Sequence, residues 1–101
     1  MAYSREQIIA DLKAHIEKSS VQHWNRWYVG VTKDARNRLF SEHGVREKGD
    51  WWIFRAAESS EIAREIEAYF VRDLGTDGGR GGGDSTADTV YAYKKTPHTD
   101  P

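Results

Sequence analysis

The sequence contains no cysteine. Disulfides, thiolate metal centres and cysteine nucleophiles are therefore excluded, and a reducing compartment such as the cytoplasm fits the chain. No apolar run approaches the roughly 20 residues that a membrane span requires. The opening "MAYSREQIIADLK" has no apolar signal core, so neither secretion nor a membrane partner is expected. Large charge excess is missing too: the formal net charge is −1, which does not signal a strongly basic nucleic-acid binder. The four histidines, His15, His23, His43 and His98, lack zinc-ligand spacing, and no Gly-x-Ser-x-Gly elbow occurs. The chain has 101 residues, enough for one domain with a modest core and too few for two. Its 38% apolar and 31% charged content mark a globular chain that leans polar.

What is present is unevenly distributed. Residues 21–48 carry six cations (Arg26, Lys33, Arg36, Arg38, Arg46, Lys48) against three acids (Asp34, Glu42, Glu47). Residues 58–73 carry five acids (Glu58, Glu61, Glu65, Glu67, Asp73) against Arg64 and Arg72. Two such segments either attract each other or divide the work of holding a phosphate and a metal.

Hydrophobic spacing gives the order α-β-α-β-α-loop-β. Ser4 and Gln7 read as a capping box before Ile8, Ile9, Leu12 and Ile16, which predicts an amphipathic helix over 5–18. Arg26–Thr32 reads as a strand, and Gly30 inside it marks a bulge or a close backbone approach. Asp34 or Thr32 caps a second helix over about 35–43, ended by Gly44. "WWIFRAA" at 51–57 is a second strand, and a third helix runs from a Ser59 or Ser60 cap to Leu74 and Gly75. The Gly-rich stretch 75–88 reads as a flexible loop, "TVYAYKK" at 89–95 as a third strand, and 96–101 as a frayed tail. An α+β fold around a small sheet follows.

Two segments together carry a resemblance. Tyr28-Val29-Gly30, then Thr32, Arg38-Leu39 and His43, resembles the second half of the GIY-YIG nuclease signature. "AREIEAYFVRDLG", with Glu67 four residues after Ala63, resembles the helix on which that family carries a metal-binding glutamate. The resemblance spans roughly residues 27–75. It implies a three-stranded antiparallel sheet flanked by helices, and cleavage of DNA phosphodiesters with one Mg²⁺ (or Mn²⁺) on Glu67. It implies Tyr28, Arg38 and His43 as further catalytic residues, with Lys33 and Arg36 on the substrate.

The residues themselves support part of this. At 100° per residue, Ile62, Ala63, Ile66, Phe70 and Leu74 form one apolar arc, and Glu67 lies at its edge while Glu61 and Glu65 point elsewhere. A carboxylate there is costly unless it is paired, binds a cation or reaches water along its stem. Periodicity does not choose between Arg36 and Arg38; only the resemblance selects Arg38. A phosphodiester transition state calls for the fixed, forked positive charge of Arg. Tyr28 faces opposite to Trp27 and Val29, either as a core residue or as a reactive phenol. A phenol titrates near pH 10, so a tyrosine base needs neighbouring positive charge from Arg38, Lys33 or a metal. His43 either relays a proton or packs beside Leu39 and Phe40. The four tryptophans default to packing.

The chain also departs from the family. Gly-Ile-Tyr normally precedes the second motif by about ten residues, and here "HIEKSSVQHWN" stands in that window. "VYAYKK" near the end has the pattern of the missing strand. We therefore expect Thr89–Lys95 to take its place, an effective circular permutation in which Tyr91 or Tyr93 supplies the second phenol. The alternative is a pair of tyrosines that only decorate a strand edge. The Gly-rich loop, with Asp77, Arg80 and Asp84, stands where the family often has an Asn; it reads as a nucleic-acid contact through Arg80 or as a plain connection. The competing function is a non-cleaving module that binds nucleic acid or a protein.

Overall fold

The structure, a computed structural model, describes residues 2–19, 23–78 and 86–101. Helix α1 spans Arg5–Lys18 and starts where Ser4 Oγ accepts a hydrogen bond from the Gln7 N–H (3.1 Å). A short 3₁₀ turn, Trp24–Arg26, leads into strand β1, Trp27–Thr32. A π-helical turn, Asn37–Glu42, follows, entered through Asp34, whose Oδ1 accepts from the Asn37 N–H (3.1 Å). Strand β2 is Trp52–Ala56. Helix α2, Ser60–Ala68, begins with Ser59 Oγ accepting from Ile62 N–H (3.1 Å) and runs on into a second π-helical turn, Tyr69–Leu74. Gly75, at φ 92°, stops it in the left-handed conformation that glycine tolerates. Strands β3, Asp77–Gly78, and β4, Thr89–Lys94, complete the fold.

These elements form an α+β fold with a four-stranded mixed sheet in the order β2-β4-β1-β3. Strand β4 lies between β1 and β2 and is antiparallel to both, while β3 adds to the free edge of β1 in parallel. The three antiparallel strands expected from sequence are thus joined by a fourth, hidden inside the Gly-rich stretch. It is two residues long and offers no alternation to read. Gly78 permits the approach, since a Cβ there would stand 2.5 Å from Val71 Cγ2 and 3.0 Å from Val29 O. The opposite edge is partly covered as well, because the Tyr3 N–H donates to Ala56 O (2.8 Å).

Strand alternation sorts the sheet into two faces. On one, Val29, Val31, Ile53, Val90 and Ala92 meet Ile8, Leu12 and Ile16 of α1 and Ala63, Ile66 and Phe70 of α2. On the other, Tyr28, Tyr91 and Tyr93 pack with Leu39 and Val45, flanked by Phe40, Trp52 and Phe54. The tail is not frayed. Lys95 N–H donates to Arg26 O (2.8 Å), His98 Nε2 lies 2.6 Å from Asp50 Oδ2, and Asp100 N–H donates to His43 O (2.7 Å).

Candidate active site

The second face is built by register. Tyr28 sits opposite Tyr93, and Gly30 opposite Tyr91. The pairing runs unbroken through Gly30, so this glycine serves a close approach and not a bulge. A Cβ on it would come within 2.5–2.8 Å of Tyr91 ring atoms. The Tyr91 ring therefore lies across bare backbone. Tyr28 stacks on Tyr93 with ring centroids 5.2 Å apart and lies 6.2 Å from Tyr91. Both tyrosines of the last strand thus join Tyr28, and neither decorates an edge.

The π turn brings the next two residues to this face. On a regular α-helix, Arg38 and His43 would point about 140° apart. Here the His43 N–H donates to Arg38 O (2.9 Å), an i→i+5 bond that returns the two to the same side. The His43 ring is 4.7 Å from that of Tyr28 and only 6% of the residue is exposed. Its Nε2 lies 2.9 Å from the Tyr91 hydroxyl; its Nδ1 lies 2.7 Å from Asp100 O and 3.0 Å from the Tyr93 hydroxyl.

Arg36 and Arg38 diverge. The Arg36 guanidinium lies over the rings of Phe40 (5.7 Å) and Phe54 (5.9 Å) and pairs with Glu47 at 3.3 Å. Arg38 pairs with Glu42 at 3.3 Å without hydrogen-bond geometry, which leaves its buried Nε with no hydrogen-bond partner. Its charge acts on the phenols of Tyr28 and Tyr91. Arg36 and Arg38 of the basic segment thus pair with neighbouring acids, and Glu65 of the acidic helix pairs with Arg5 (3.5 Å). Lys33 and Arg36 line a groove of about 530 Å³ with Tyr3, Phe54 and Thr89. The groove opens at the Thr32–Thr89 end of the sheet, four residues along β1 from Tyr28.

Glu67 approaches from the α2 side. It is half-buried, and its Oε2 is buried with no hydrogen-bond partner. Burial pushes its carboxyl from the usual 4.5 up to about 7, with Arg64 opposing the rise. Its charge, with that of Asp77, reaches the Tyr28 phenol. A bare buried carboxylate oxygen is a fit for a cation, because a metal ion would satisfy it where no protein donor does. Among the described residues there is no group of three or more His, Asp or Glu able to cage a metal. Magnesium is commonly held by one or two carboxylates with water and substrate phosphate filling the rest, and Glu67 matches that donor set.

Burial raises all three phenols above their ordinary range. For Tyr28, Asp77 and Glu67 add to the rise, while Tyr91 and Arg38 oppose it. For Tyr91 and Tyr93, burial again leads and the neighbouring Tyr28 adds to it. The positive charge expected to make Tyr28 a base is therefore present as Arg38 but outweighed. At neutral pH the phenol keeps its proton and acts as an O–H donor.

Tyr28, Arg38, His43, Tyr91 and Tyr93 thus meet on one face, and Glu67 acts on it electrostatically from α2. Lys33 and Arg36 lie at the far groove. Arg80 and Asp84 fall outside the described residues. Sequence reasoning missed two participants. Asp77 stands in register with Tyr28, but nothing in a Gly-rich stretch signals it. Asp100 contacts His43 through its backbone, which leaves no mark on residue identity. No protein-family model, curated protein or solved structure matches the chain.

Proposed function

We propose that this chain is a metal-dependent endonuclease of GIY-YIG type that hydrolyses DNA phosphodiester bonds and works in the cytoplasm. The observation that carries the reading is the meeting of three phenols, His43 and Arg38 on one face, with Arg38 Nε and Glu67 Oε2 each buried without a hydrogen-bond partner and the Glu67 charge acting on Tyr28. The pairing of β4 with β1, Tyr93 against Tyr28, supports the view that the last strand replaces the family's first. A divalent ion on Glu67 would polarise the scissile phosphate. Arg38 meets the negative charge that builds on the phosphoryl oxygens, with its Nε–H free of any hydrogen-bond partner. Tyr28 orients the attacking water by its O–H. Tyr91 relays a proton from the attacking water, received through the Tyr28 hydroxyl, to His43 Nε2, 2.9 Å away. Lys33 and Arg36 hold flanking phosphates of the strand.

Plasmid nicking tests the proposal. Cleavage is expected with Mg²⁺ or Mn²⁺ and none with a chelator. Glu67→Ala and Arg38→Ala are each expected to lower the rate by about 10²–10³ with the fold intact. Wild-type rates in either variant would overturn the assignment. A second reading rests on the burial of the phenols and the net charge of −1: a non-cleaving module that retains nucleic acid or a protein through the same surface. It predicts binding without metal-dependent turnover.

A further inference from the structure

His43 is held by groups that belong to no motif. Its Nδ1 lies 2.7 Å from the main-chain oxygen of Asp100, and the Asp100 N–H donates to the His43 carbonyl at 2.7 Å. The 96–101 segment therefore clasps this one residue from both its backbone and its ring. The segment is itself anchored. Thr96 N–H donates to Thr99 Oγ1 (2.9 Å), Thr99 N–H to Thr96 O (3.1 Å), and His98 Nε2 lies 2.6 Å from Asp50 Oδ2. Gly44, at φ 72°, lets the chain turn directly under His98, whose carbonyl would stand 3.3 Å from a Cβ there.

These contacts decide where the imidazole proton sits. A carbonyl oxygen only accepts, so a nitrogen 2.7 Å from it must carry hydrogen. In the neutral ring that puts the proton on Nδ1 and the lone pair on Nε2. The Tyr93 oxygen, 3.0 Å from Nδ1, then shares the same N–H as a second acceptor. Nε2 is left to accept from the Tyr91 O–H at 2.9 Å.

We infer that the main chain of Asp100 is a positioning element: it locks His43 as the Nδ1–H tautomer, so that Nε2 faces Tyr91 as a proton acceptor. When that acceptor is used, the attacking water's O–H bond breaks and its proton passes through the Tyr28 hydroxyl to the Tyr91 oxygen as Tyr91 gives its own proton to Nε2, so both phenols stay neutral and the ring becomes an imidazolium whose Nδ1–H still points at the Asp100 carbonyl. The catalytic part of this rests on the nuclease reading above; the positioning part does not.

The test separates backbone from side chain. Asp100→Ala keeps both main-chain contacts and is expected to change nothing. A chain ending at Thr99 removes the Asp100 carbonyl and N–H together while keeping the Thr96–Thr99 and His98–Asp50 anchors, and a chain ending at Lys95 removes the clasp entirely. Long-range ¹H–¹⁵N correlation spectra of ¹⁵N-labelled protein, recorded well above the ordinary histidine pKa, read the tautomer directly. The full chain and Asp100→Ala are expected to show Nδ1–H. Both shortened chains are expected to move toward the Nε2–H form that free histidine favours, with metal-dependent cleavage slowed about 10–100-fold, as when other orienting partners of a histidine are lost. An Nε2–H ring in the full chain, or an unchanged ring in a folded chain without Asp100, overturns the proposal. Should the chain ending at Lys95 fail to fold, the chain ending at Thr99 decides alone. A full chain with the Nδ1–H ring and no cleavage sinks the nuclease reading and leaves the positioning role standing.

Discussion

The two faces of the sheet are made by the same strands and yet are built on opposite principles. Toward α1 and α2 the side chains are apolar, aliphatic ones together with Trp27 and Phe70, and what stabilises them is area removed from water. Toward the π turn they are phenols and an imidazole, held by specific distances, with Arg38 Nε left without a hydrogen-bond partner. The first face tolerates exchange of one apolar group for another of similar volume. The second tolerates little, because each hydroxyl has an assigned neighbour. Apolar burial and polar pairing are thus carried on separate sides of one strand pair, alternating residue by residue along β1.

That separation can be broken or sharpened by substitution. The largest effect is expected on the apolar face. Phe70→Ala should destabilise the fold by about 3–5 kcal/mol in urea denaturation, while the His43 ring signals stay unchanged in whatever fraction remains folded. Movement of those signals would mean that the faces are coupled. Next comes Gly30→Ala, which sits on the phenol side. Its new methyl meets the Tyr91 ring, so a cost of about 1–3 kcal/mol is expected, with Tyr91 displaced from His43. Smaller still is the effect of Glu67→Gln on the pH dependence of stability. The folded carboxyl titrates at about 7 and the unfolded one near 4.5, so between these values the unfolded state has released a proton that the folded state retains. Wild-type stability measured without metal should therefore fall across that window as pH rises, relative to Glu67→Gln. Added Mg²⁺ should reverse the fall in the wild type alone. Parallel curves for the two proteins would remove Glu67 from its buried position.

Much of the frame was legible because its signals are local. Ser4, Asp34 and Ser59 each cap the helical segment that they precede, and the three longer strands fall within a residue or so of their predicted bounds. The edge position of Glu67 on the apolar arc also follows from periodicity alone. What could not be read has a common physical origin. Strand β3 gains its place from pairing with β1, not from its own two residues. The contacts of Asp100 with His43 run through its main-chain atoms, which every residue owns. The choice of Arg38 over Arg36 depends on helical pitch, and an α-helical wheel gives the wrong pitch for a π turn. The raised phenols depend on summed burial, to which no single residue testifies.

The i→i+5 bond between His43 and Arg38 has a consequence for how this surface can change over generations. A π turn is an α-helix carrying one spare residue. Losing that spare, for instance by deletion of Ser41, lets the helix close in the ordinary way with the imidazole four positions after Arg38, about 40° away around the axis. The guanidinium and the imidazole would then stay on one side, whereas straightening the turn at its present length would set them about 140° apart. Inheritance can therefore keep the bulge or lose its extra residue, but not the extra residue without the bulge.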